Sequence, residues 1–188
     1  MRTDPREVLR FWFDEAGPSC WFKRSDAFDE QLRERFLATW QAAAAGECGH
    51  WRSSPAGRAA EIIVLDQFSR NLFRGEGRAF AQDGMALVLA QWAVAAGEDN
   101  DIEIAEERGM TPDQRYFTYM PFMHSESLAV HDDALRLFTA LGNEKALEYE
   151  IRHRDVICTY GRYPGRNAAL GRTSTPEERA YLDAGGGF

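Results

Sequence analysis

Four times along this chain a residue able to cap a helix stands directly before a proline: Asp4-Pro5, Ser54-Pro55, Thr111-Pro112 and Thr175-Pro176. The capping oxygen accepts an orphan N–H of the first turn, and proline's fixed φ suits the first helical position. At the last site Glu178 stands three residues after Thr175 and completes a capping box, the clearest helix start in the chain. Glycines close what the caps open, at Gly17, Gly46, Gly75, Gly97 and Gly142. Punctuation of this kind leaves little room for strands. The one β-branched run, Ile62-Ile63-Val64-Leu65, lies inside a longer helical pattern.

The spacing predicts a first helix from Pro5 through Val8, Leu9, Phe11 and Trp12 to Gly17. A second is capped by Ser25 and carries Phe28, Leu32, Phe36 and Trp40 at the helical period. A third opens at Pro55 and ends at Gly75. A fourth begins near Phe80 and runs to Gly97. Residues 98–110 are acidic and read as a loop. A fifth opens at Pro112 and halts near Pro121, a sixth covers about 126–141, and a seventh about 144–160. With the capped C-terminal helix this makes about eight helices on short links, hence antiparallel hairpins in an all-α fold. No linker divides residues 1–188, so a single all-helical domain is expected, and no 34-residue repeat is visible.

Composition narrows the function classes. The net charge of −8 argues against nucleic acid as a partner. No apolar run approaches the roughly 20 residues of a membrane span, and the charged N-terminus is unlike a signal peptide. Three scattered cysteines, Cys20, Cys48 and Cys158, fit a reduced, cytoplasmic setting and form no CxxC. Nucleotide-binding glycine motifs, HExxH and GxSxG are missing from the sequence, so no cofactor and no metal are expected. Of the 22 basic side chains only Lys23 and Lys145 are lysine. Arginine is the better residue for bidentate capture of carboxylate or phosphate, although codon bias accounts for most of the excess equally well.

On the third helix Asp66, Arg70 and Arg74 recur every four residues, beside Asn71, and Arg78 extends the row. They form either an ordinary solvated face or an arginine ladder aimed into a groove, where converging guanidinium groups need an anion between them. The seventh helix looks apolar on two sides, with Leu147, Ile151 and Cys158 on one and Val156, Ile157 and Tyr160 on the other. That pattern predicts a helix sandwiched in the core, with His153 and Arg154 partly buried and Asp155 on a polar strip. The loop after it offers Arg162, Arg166, Asn167 and Arg172, leading into a helix start that could bind an anion. His124 and Glu126 follow Pro121; His124 is either a general base or a structural histidine.

Several of these blocks resemble a known bacterial family, the one catalogued as domain of unknown function 924. The resemblance rests on Phe11-Trp12-Phe13, Leu65-Asp66-Gln67-Phe68 and Arg70-Asn71-Leu72-Phe73-Arg74-Gly75. It continues with Pro121-Phe122-Met123-His124-Ser125-Glu126, Tyr160-Gly161-Arg162-Tyr163-Pro164 with Arg166-Asn167, and Leu170-Gly171-Arg172. It implies a tetratricopeptide-like stack of helical hairpins in a right-handed superhelix, and no reaction. Ser69 stands where that family usually has proline, Gly165 where it usually has histidine, and Tyr160 and Tyr163 where it has phenylalanine, a change expected to matter little.

Three functions remain open on the sequence. One is a helical domain binding an anionic small molecule or acidic peptide through Arg70, Asn71, Arg74, Arg78, Arg162, Arg166, Asn167 and Arg172, with Asp66, Asp155 and Glu126 orienting them. The second is a hydrolase or transferase on a phosphorylated or carboxylated substrate, with His124 or His153 as general base. The third is a structural interaction module with buried Arg–acid pairs and a patch of Trp21, Phe22 and Trp51.

Overall fold

The computed structural model describes residues 4–100 and 109–187, so the middle of the acidic 98–110 loop lies outside the described residues. Helices α1 (Pro5–Leu9), α2 (Pro18–Trp21) and α3 (Asp26–Ala44) come first. Next come α4 (Pro55–Ile63) and α5 (Ser69–Leu72), joined without a break through a π-helical turn at Val64–Phe68. Then follow α6 (Asp83–Ala95), α7 (Pro112–Met123), α8 (Leu128–Leu141), α9 (Glu144–Tyr160) and α10 (Pro176–Asp183). No sheet occurs among the described residues, and the fold is all-α.

All four cap–proline starts open helices in the structure. Asp4, Ser54, Thr111 and Thr175 each accept a backbone N–H of the first turn, and Thr111 with Gln114 adds a second capping box. Replacing Thr175 with alanine removes one bond of its box and is expected to cost about 1 kcal/mol in urea unfolding. Loss of cooperative folding instead would mean that α10 does more than cap itself.

The rod formed by α4, the π turn and α5 is the centre of the molecule. It packs on α1, α3, α6 and α7, and every residue from Gly57 to Ser69 is buried. Of the two readings of Asp66 and Asn71, the solvated face is therefore ruled out. Helix neighbours cover both sides of the rod, so its polar residues point into protein. The hairpin contacts expected of sequential helices are present between α7 and α8 and between α8 and α9.

Further expectations change. Helix α7 runs through Pro121 to Met123, because proline so near a C-terminus disturbs only the last turn, and the His124 N–H still reaches Met120 O at 2.9 Å. Helix α6 starts at Asp83 rather than near Phe80, after a 3₁₀ turn at Gly77–Ala79, and α8 starts at Leu128 rather than about 126. Helix α9 is not sandwiched. It buries Ala146, Glu150, His153, Val156 and Ile157 on one side and leaves Ile151 and Cys158 exposed. Of the aromatic patch candidates, Trp51 is buried and Phe22 is 62% exposed. No helix among the described residues is long and apolar enough to cross a membrane.

Candidate functional site

Asp66 sits in the π-helical turn of the central rod and is fully buried. Such turns are rare in proteins and occur often at functional sites. Its carboxylate lies 2.8 Å from His124 Nδ1, 3.0 Å from Arg70 Nη1 and 2.6 Å from Gln67 Nε2. Burial pushes this carboxyl up, but Arg70, His124 and the Gln67 amide together outweigh it and hold Asp66 well below the usual carboxylate range. Asp66 is therefore ionised and only accepts, so His124 carries its hydrogen on Nδ1. Burial, reinforced by the Arg70 charge, pushes the His124 imidazole below its ordinary value against the pull of Asp66. The neutral ring then presents a lone pair at Nε2, which makes no hydrogen bond among the described residues. His124 keeps 9% of its surface exposed.

A second carboxylate organises the arginines. Asp83, the first residue of α6, holds Arg70 at 3.0 and 3.1 Å and Arg166 at 3.1 Å. Arg166 also donates to the His124 carbonyl at 2.9 Å, and its guanidinium lies between the rings of Phe80 and Tyr163. Burial, with Arg70 close by, lowers the Arg166 pKa. Asp66 and Asp83 match Arg70 and Arg166 charge for charge. The anion required between converging guanidinium groups is thus supplied by the chain itself.

His153 closes the group. Its ring centroid is 6.3 Å from that of His124 and 5.7 Å from that of Tyr163, and its Nδ1 donates to Tyr149 O at 2.7 Å. Burial pushes it down to about 3. The structure thus brings together Asp66, Arg70, His124, His153 and Arg166 from residues scattered over a hundred positions.

The other sequence candidates lie elsewhere. Asn71 and Arg74 both bond Asp29, Asn71 at 2.7 Å. Arg78 pairs with Glu76 on the surface at 2.7 Å. The expected ladder fails because α5 ends at Leu72, so Arg74 and Arg78 lie beyond the helical face that carries Arg70. Glu126 pairs with Arg172 at 2.6 and 2.9 Å and accepts the Tyr163 N–H at 2.8 Å. Arg162 and Asn167 both bond Glu178, at 2.6 and 3.1 Å. Glu178 fills the helix start where an anion was expected, and Arg162 and the Thr175 N–H hold it at about 2. Asp155 is exposed on the far side of α9. Gly165 is exposed in the 3₁₀ turn Pro164–Arg166, and Ser69 is buried with its hydroxyl between Leu65 O and Trp40 Nε1.

Sequence reasoning missed four members of this neighbourhood. The first is Asp83, the shared partner of Arg70 and Arg166. His131 and Glu150 form a second carboxylate–histidine pair, 2.7 Å apart and completely buried, with burial pushing the Glu150 carboxyl up. Both lie on apolar stripes, Glu150 with Ala146 and Ile157 and His131 with Ala134 and Phe138, and a polar residue on such a stripe was the available signal. Tyr163 is the fourth. Its hydroxyl donates to Met123 O at 2.5 Å and lies 3.1 Å from His131 Nε2, so exchange with phenylalanine is not neutral here. Among the described residues no three His, Cys, Asp or Glu side chains gather as a metal site.

Comparison with known proteins agrees with this picture of the fold. A family profile described as "Bacterial protein of unknown function (DUF924)" matches residues 8–186. The structure of a protein of unknown function from Agrobacterium tumefaciens superposes with a TM-score of 0.86 at 36% sequence identity, covering 96% of this chain and 97% of that one. No curated protein matches the chain.

Proposed function

Because the chain belongs to the DUF924 family of bacterial proteins of unknown function, we propose its function from the site itself: a hydrolase or transferase with His124 as general base. The observation that carries this reading is the Asp66–His124 contact. A buried, ionised carboxylate on Nδ1 sets the ring's tautomer and leaves Nε2 to take a proton from water or a substrate hydroxyl. Asp66 then stabilises the imidazolium. A pKa below the ordinary histidine value keeps the ring unprotonated and able to act at neutral pH. The placement of Asp66 in a π turn supports the same reading, as does the anchoring of Arg70 and Arg166 by Asp83.

The substrate class is anionic or becomes so in the reaction. Arg166 Nε is buried with no partner among the described residues, although Nη1 and Nη2 are both engaged. Of the buried guanidinium Nε atoms without a partner it is the one on the arginine that bonds the His124 carbonyl, and its charge, rather than a direct bond, would stabilise a developing phosphoryl or acyl anion. The ordinary alternative is an ion-pair network that only fixes helix register, and the pairing of Arg74, Arg78, Arg162 and Arg172 with carboxylates favours it at those four positions.

Two measurements separate these readings. In chromogenic assays with carboxylic esters, phosphate monoesters and phosphate diesters, His124→Asn is expected to lower turnover about 10²–10⁴-fold. Diethyl pyrocarbonate, which attacks neutral imidazole, should modify His124 in the native protein faster than His131 or His153, as read by peptide mass spectrometry. Equal turnover by His124→Asn, or protection of His124 to the level of His131, refutes the general-base reading.

A further inference from the structure

Three successive carbonyls at the end of α7 each receive a side-chain donor from outside the helix. The Tyr163 hydroxyl donates to Met123 O at 2.5 Å, Arg166 Nη2 to His124 O at 2.9 Å, and His131 Nε2 to Ser125 O at 3.0 Å. Carbonyls at a helix C-terminus lack intrahelical partners, and water or a tight turn usually meets them. Here three buried side chains of different chemistry do so, two from the turn after α9 and one from α8.

Each donor is itself held. His131 Nδ1 is 2.7 Å from Glu150, Arg166 is tied to Asp83, and the Tyr163 N–H is tied to Glu126. Hydrogen-bond accounting also fixes where the hydrogens lie. The Ser125 carbonyl can only accept, so His131 Nε2 carries a hydrogen. Tyr163 gives its hydroxyl hydrogen to Met123 O, so its oxygen accepts from that same Nε2 at 3.1 Å. The three donors are thus linked to one another as well as to the backbone.

We propose that Tyr163, Arg166 and His131 are positioning residues for His124: together they immobilise the peptide that carries it and so hold its ring in the tautomer and orientation that Asp66 requires. This rests on the general-base reading of His124. It adds the prediction that the ring's state depends on groups that do not touch the ring's nitrogens. A helix cap with no role at the site would change stability alone.

The test is a spectrum of the imidazole nitrogens of His124 in ¹⁵N-histidine-labelled full-length protein. The wild type is expected to show the Nδ1–H tautomer unmixed. In Tyr163→Phe, which deletes one hydroxyl, and in Arg166→Met, the two ring resonances are expected to move toward each other as the tautomers mix. Arg166→Lys retains a donor for the His124 carbonyl and should restore the wild-type pattern. Lower melting temperatures with an unchanged His124 spectrum, or no difference between the methionine and lysine variants, overturn the proposal. If Arg166→Met does not fold, Tyr163→Phe decides it alone. The two readings fail separately: if the spectrum responds but turnover ignores His124, the cradle stands and the general base falls. If turnover needs His124 but its spectrum ignores the cradle, the reverse holds.

Discussion

Asp66→Ala is expected to destabilise the protein by about 3–5 kcal/mol, the usual cost of leaving one partner of a buried ion pair uncompensated. The variant would strand the Gln67 amide and the His124 Nδ1–H in the centre of the fold and leave Arg70 with Asp83 as its one carboxylate partner. For a chain of this size that corresponds to a fall in Tm of roughly 6–20 °C. Glu76→Ala is the control, because its partner Arg78 lies on the surface and exposed pairs contribute about 0–1 kcal/mol. Urea unfolding of the two variants side by side checks the contrast. A cost below about 1 kcal/mol for Asp66→Ala would mean that water already reaches the carboxylate, and the argument for a preset His124 would lose its basis.

Mild acid should unfold the protein through its histidines before its carboxylates. The folded-state pKa values of His124 and His153 both lie below that of a free histidine, in each case chiefly through burial. Between the depressed values and about 6.5 the unfolded chain binds more protons than the folded one, so stability falls as pH falls through that window. Each group contributes at most about 1.4 kcal/mol per pH unit. From pH 6.5 to 4.5 the wild type should therefore lose at most about 5 kcal/mol. Glu150 acts in the opposite sense, since its raised value makes the folded state take up a proton early and softens the slope. Asp66, Glu126 and Glu178 have lowered values, so their contributions are present above the free carboxylate range and are lost only below about pH 4.5. His153→Asn keeps a donor for Tyr149 O and should reduce the slope by about half. Stability that stays flat between pH 7 and 5 in the wild type would show that neither imidazole is held neutral.

Much of the architecture was legible without coordinates. Asp4, Ser54, Thr111 and Thr175 open helices where the caps stand, and Gly142 and Gly161 end α8 and α9 in the left-handed conformation. The helical wheels were less reliable. Asp66 and Asn71 read as naturally on a solvated face as in a groove, because a wheel orders residues around one helix without saying what covers it. Ile151 and Cys158 looked like core and are exposed, while Glu150 is buried on the opposite side. A wheel weighs residue type, and α9 packs on α8 and α7 through one side only.

Within the site, the residue set around His124 was partly visible, and its partners were not. His124, His153, Arg70 and Arg166 stood out as polar residues in apolar or family-like surroundings. Which carboxylate each arginine takes depends on contacts 13 to 83 residues apart, such as Arg70 with Asp83 and Arg166 with Asp83. The same distance in sequence hid the meaning of Tyr163, whose hydroxyl finds Met123 O 40 residues away.

By itself the sequence determined the all-α class, most of the helices and the four cap–proline starts. Caps, proline at the first turn and left-handed glycines act between residues no more than about four positions apart, so local order suffices to read them. The tertiary structure alone decided that the polar side of the central rod faces inward and that Asp66 meets His124. It also decided that the chain's own carboxylates occupy the arginines. Those outcomes are set by which helices lie against which, and burial, not spacing, determines whether a charge is solvated or must find a partner.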